Sequence, residues 1–93
     1  MIGLKTKIKR KEGFADTEVD GNKVLMSVES GKYYGLNQVG TDIWAKIEEK
    51  VSVSELIDKL LGEYDIDKKS CEEQVLRYLN HLNDNDLIEV FSE

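Results

Sequence analysis

Apolar and polar residues alternate in short stretches over the first third of the chain. Over the remainder they recur at three- and four-residue spacing. The first pattern predicts strands and the second helices. Phe14–Val19 reads as a weak strand, closed by Asp20-Gly21-Asn22, because Asp-Gly favours a two-residue hairpin turn. Val24-Leu25-Met26-Ser27-Val28 is the strongest strand, with Val24, Met26 and Val28 on one face and Leu25 on the other. Ser30-Gly31 supplies a second turn, and Lys32–Leu36 forms a third strand. Turns this short join antiparallel neighbours, so the three strands should form a meander.

Three helices follow. The first should begin after Asn37, with Val39, Ile43, Trp44 and Ile47 at helical spacing. The second opens on Ser52-Val53-Ser54-Glu55, a capping box in which the serine oxygen accepts a backbone amide and the glutamate reaches back. Val53, Leu56, Ile57, Leu60, Leu61 and Tyr64 then share one face, and Gly62 near the end weakens the helix slightly. Asp67 should cap the third helix, which runs to about Asp84. Its stripe of Cys71, Val75, Tyr78, Leu79 and Leu82, with Leu76 to one side, makes an apolar arc wider than one neighbour needs. Either this helix packs on two elements or part of the arc faces an open groove. Leu87, Ile88, Val90 and Phe91 form an apolar tail that should fold back on the core.

Length and charge narrow the picture. The chain has 93 residues, no proline and one cysteine, which suits one domain with one modest core. A formal net charge of −6 disfavours nucleic acid as a partner. No apolar run is long enough to span a membrane, and no apolar segment follows the N-terminal cations as a secretion signal requires. The single cysteine excludes an internal disulfide framework and fits the reducing cytoplasm. Lys5, Lys7, Lys9, Arg10 and Lys11 make the start of the chain basic. Residues 1–13 read as a flexible arm, either solvated or touching an acidic partner, ahead of a folded domain over residues 14–93.

Candidate chemistry is sparse, and the reading is that of a protein without enzymatic activity, cofactor or metal. His81 and Cys71 are single representatives of their types and lie too far apart on one helix to act as a nucleophile–base pair. One histidine and one cysteine do not make a zinc cluster, and there is no glycine-rich phosphate loop. A small sheet with three helices also suggests a winged-helix DNA-binding regulator. The second and third helices, however, interleave Lys59, Lys68, Lys69 and Arg77 with acids, which gives no positive footprint. The third strand is more informative. Tyr34 and Leu36 share the side facing the core, while Tyr33 shares the other with Gly35, which leaves the backbone uncovered. As the last strand of a meander, it exposes an edge that either is ordinary or templates an added peptide strand. A third reading has the same edge serve oligomerisation or docking.

The run Ser30-Gly31-Lys32-Tyr33-Tyr34-Gly35-Leu36-Asn37-Gln38-Val39-Gly40-Thr41-Asp42-Ile43-Trp44 resembles the signature of the PqqD-like family. Leu56, Leu60-Leu61, Tyr64-Asp65-Ile66-Asp67, Val75, Tyr78-Leu79, Leu82 and Leu87-Ile88 fit in the same order, so the resemblance covers about residues 14–90. It implies an α+β, winged helix-turn-helix-like domain with a three-stranded antiparallel sheet followed by three helices. It also implies binding of the leader of a ribosomally made precursor peptide. The leader would be presented to a separate leader protease, as in lasso-peptide pathways, or to a radical modifying enzyme, as in pyrroloquinoline quinone synthesis. Carried onto this chain, the leader would add beside Lys32, Tyr33, Tyr34, Gly35 and Leu36. It would pack on a helix face that includes Cys71, Gln74, Val75, Tyr78 and Leu79. Two positions depart from the pattern. Gln74 stands where the family often has an acid, and Asp86 stands where it often has glycine. Asn85 or Asp86 should then supply the left-handed turn.

Overall fold

The computed structural model describes residues 2–91. Met1, Ser92 and Glu93, the outer ends of the two segments divided above, lie outside the described residues. The elements run β1 (Lys7–Arg10), β2 (Phe14–Val19), β3 (Asn22–Ser27), β4 (Tyr33–Gly35), α1 (Gln38–Lys46), β5 (Val51–Ser52), α2 (Val53–Leu61), α3 (Lys68–Asp84) and β6 (Ile88–Phe91).

Local chemistry sets each helix start. The Asn37 side chain accepts the Gly40 amide at the start of α1. Ser52 and Glu55 complete the reciprocal capping box of α2, and hydrogen bonds from the Ser52 hydroxyl and amide hold the Glu55 carboxyl below its usual pKa. Asp67 accepts the Ser70 amide at the start of α3, and bonds from Ser70 lower its pKa too. Each side-chain oxygen satisfies an amide that has no partner within its helix.

The strands form two antiparallel sheets, ordered β2-β3-β4 and β5-β1-β6. The first is the expected meander. Met26 pairs with both Ala15 and Tyr33, and Val24 with both Thr17 and Gly35. Its inward face carries Leu25 and Leu36, both buried, with half-buried Phe14 and Tyr34. Phe14 stands edge-on between Tyr34 and Trp44, with ring centroids 6.3 and 6.0 Å away. The sheet therefore packs on α1 through aromatic edges. The face of Val24, Met26 and Val28, although richer in apolar residues, turns outward.

The second sheet was not expected, and it corrects the reading of residues 1–13. Lys7–Arg10 is no flexible arm. It is the central strand of β5-β1-β6, pairing Ile8 with Val51 on one side and with Val90 on the other. Ile8 is fully buried, and two of the cations that follow it have partners. The Arg10 guanidinium donates to the Trp44 carbonyl and to Glu48, both at 3.2 Å, and lies 5.5 Å from the Trp44 ring centroid. Lys11 pairs with Asp86. The apolar tail is β6, reached through Asp86 at φ 63°, the left-handed position that the sequence assigned to Asn85 or Asp86.

Candidate functional site

β4 is paired on one edge. The Leu36 amide donates to the Lys23 carbonyl and the Ser27 amide to the Lys32 carbonyl, at 2.8 and 2.9 Å. In an antiparallel ladder, alternate residues bond to alternate sides. Lys32, Tyr34 and Leu36 therefore direct their backbone groups toward β3. The N–H and C=O groups of Tyr33 and Gly35 point to the other edge, which no strand covers among the described residues.

The side chains divide in the same way. Tyr33 is 70% exposed on the outer face. Tyr34 turns inward beside Phe14 and, with Lys32, lines a cleft closed across the way by Asp84, Asn85 and Asp86 at the end of α3. Further along α3, Gln74, Arg77, Tyr78 and His81 form one wall of a second depression, with Asn37 and Val39 opposite. A third recess, of about 290 Å³, shares Val39 and Gln74 with it and reaches Cys71, Val75, Tyr64 and Ile66. From Cys71 to Asp84 the helix rises about 20 Å, the length of roughly six extended residues.

Tyr78 is the most tightly packed side chain of this wall. Its hydroxyl lies so close over α1 that a Cβ added at Gly40 would clash with it. Burial raises its pKa, partly offset by the Asn37 backbone amide. Burial likewise pushes the Cys71 thiol up, with Glu72 and Asp67 adding to the effect. A thiol held in its neutral form is a poor nucleophile, so Cys71 acts here as a small apolar side chain. At the far end, the Tyr64 hydroxyl donates to Asp42, and that bond raises the phenol pKa to about 12.

The ten residues singled out in the sequence therefore take different places. Tyr33 and Gly35 offer the open edge, while Lys32 and Tyr34 line the first cleft. Tyr78 and Gln74 wall the second, and Gln74, Val75 and Cys71 line the apolar recess. Leu36 and Leu79 lie in the core, 3% and 0% exposed. The opposing wall of Asn37, Val39, Tyr64 and Ile66 and the flanking Arg77 and His81 were not singled out. Val39 carried a signal, since it opens α1 directly after the exposed strand and was read only as core. The described residues hold no group of three or more metal-ligating side chains and no helix long and apolar enough to cross a membrane.

A sequence model of the family described as coenzyme PQQ synthesis protein D (PqqD) matches residues 22–88. The chain belongs to the PqqD family. Among solved structures it is similar to TbiB1 in complex with the TbiA(beta) leader peptide. The TM-score is 0.78 at 28% identity, over 91% of this chain and 99% of that one. It also shares its fold with a lasso peptide synthetase B1 complexed with the leader peptide, with a TM-score of 0.75 and 20% identity. That match covers 88% of this chain and 96% of the other. A comparison with curated proteins found no match. The PqqD match begins at Asn22, so β1 and β2 lie outside it, although the solved relatives align over nearly the whole chain.

Proposed function

We propose that this PqqD-family chain binds the leader of a ribosomally made precursor peptide and presents it to a separate modifying or cleaving enzyme. The leader adds to the free edge of β4, where Tyr33 and Gly35 each offer one N–H donor and one C=O acceptor. Strand addition of this kind takes affinity from main-chain bonds and selectivity from alternate side chains. The inward-facing side chains of the leader lie along α3, against Tyr34, Tyr78, Gln74 and the recess beside Val39. The uncovered edge above this groove carries the reading, and the TbiB1–leader complex supports it. The chain contributes no bond-making chemistry. A leader protease or a radical enzyme performs that step in the cytoplasm, where the ribosome releases the precursor.

Titration of the isotopically labelled protein with synthetic lasso-precursor leaders, the TbiA(beta) leader among them, tests the assignment. The largest amide shifts should fall at residues 32–36 and 71–82. Shifts concentrated on α2 would refute it.

A further inference from the structure

The outward face of the β2-β3-β4 sheet has an unusual composition. Residues whose side chains point to one side alternate with those pointing to the other, so Asp16, Glu18 and Lys23 all share the inward parity with Leu25 and Tyr34. The solvent side of the three strands holds no charged residue, in a chain that is 34% charged. Val24, Met26 and Tyr33 stand there beside the uncharged Ala15, Thr17 and Asn22, with Val19 at one end and Val28, 68% exposed, at the other. Asp16 and Glu18, on the other side of β2, are exposed as well, so both faces of that strand meet water and the outer one alone carries no charge.

Gly35 lies in this face, and nothing among the described residues explains it. Its φ is not positive, unlike those of Gly13, Gly21 and Gly31, and a Cβ there would meet nothing within 4 Å. Glycine inside a strand weakens it. The remaining physical reason is close approach by another chain. The position supplies that chain, because Gly35 directs its own N–H and C=O toward the free edge. A strand added there must place every second side chain on the outer face. The side chain beside Gly35 enters a notch floored by Val24 and flanked by Tyr33. Large side chains commonly cover a glycine on the neighbouring strand in this way.

We propose that the outer face of this sheet is a second recognition surface for the leader, taking one large apolar side chain in the notch over Gly35. This rests on the strand-addition reading and adds that the leader is read on both faces. The leader position beside Gly35 then favours a large apolar residue, since a charged one would stay in water and leave the notch unfilled.

Peptide display on the folded chain tests this, with a random library as probe and the register of selected peptides fixed by contacts to the Gly35 backbone. Peptides selected on the wild type should carry Phe, Tyr, Leu or Ile beside Gly35. Gly35→Val should fold with unchanged or higher thermal stability and bind the same peptides about tenfold more weakly, the order expected for displacing one apolar side chain. Replacing that peptide residue by alanine should remove the difference between the two proteins. Peptides that pair with β4 but accept aspartate there equally, or bind Gly35→Val as tightly, would overturn the two-face inference and leave strand addition standing. Peptides that map away from β4, or none selected at all, would overturn both.

Discussion

Tyr78 and Gly40 make a pair whose geometry is decided by a missing methyl group. With a Cβ at residue 40, the Tyr78 hydroxyl could not keep its place over the start of α1. Gly40→Ala should therefore lower the unfolding midpoint by displacing the ring. Combining it with Tyr78→Leu should cost less than the sum of the two, a coupling that a double-mutant cycle in urea measures directly. Tyr64 responds to pH in the same residue-by-residue way. Its folded-state pKa of about 12 lies above the ordinary value of 10, so the folded chain holds the phenol proton more tightly than the unfolded chain does. The associated stability is complete below pH 10 and is lost as pH rises through 12. Asp42→Asn should bring the Tyr64 midpoint down, read by tyrosinate absorbance, and flatten the fall in stability over that window.

Among the elements, the helices were the most legible because each start is written locally. Asn37, the Ser52–Glu55 box and Asp67 all cap where the sequence placed them. The meander was legible through Asp20-Gly21 and Gly31, turn residues in left-handed conformation. β1 was not. It is four residues long with Ile8 as its one apolar member, and its neighbours are cations, so the segment reads as solvated. What makes it a strand is pairing with β5 and β6, which are remote in sequence, and no local pattern carries that information. The candidate site followed the same rule. The β4 edge and one face of α3 could be read from alternation and periodicity. The opposing wall at Val39, Tyr64 and Ile66 arises only when α1 and α2 pack against α3. Removing residues 1–11 consequently does more than trim a tail. It withdraws the middle of a sheet and exposes Ile88 and Val51, and the truncated chain should lose its cooperative thermal transition, as followed by circular dichroism. Ile8→Asp, which buries an unpaired carboxylate, should act in the same direction.

At the scale of the whole molecule, the basic start and the acidic remainder meet inside the fold. Arg10 pairs with Glu48 and Lys11 with Asp86, so two of the five N-terminal cations contribute to holding the second sheet against α1 and the end of α3. The proposed edge is uncharged at Tyr33 and Gly35. Leader affinity measured by calorimetry should therefore change little between low and moderate salt, since few exposed ion pairs are there to be screened. A steep dependence would move recognition to Lys5, Lys7 and Lys9.

The pairing of Lys7 with Phe91 joins the first strand to the last, and this gives the molecule a birth order. While the chain is still emerging from a ribosome, the meander and α1 can form from neighbouring residues alone, but β1 has no finished sheet to enter. Long-range pairing of this kind is slow because a large loop must close before any bond forms. The Tyr33–Gly35 edge should thus assemble before the scaffold behind it is locked. For an interval after synthesis, the protein should then display an open strand edge on an incomplete body. In that interval its own siblings, emerging from the same message, are the nearest strands available to pair with it.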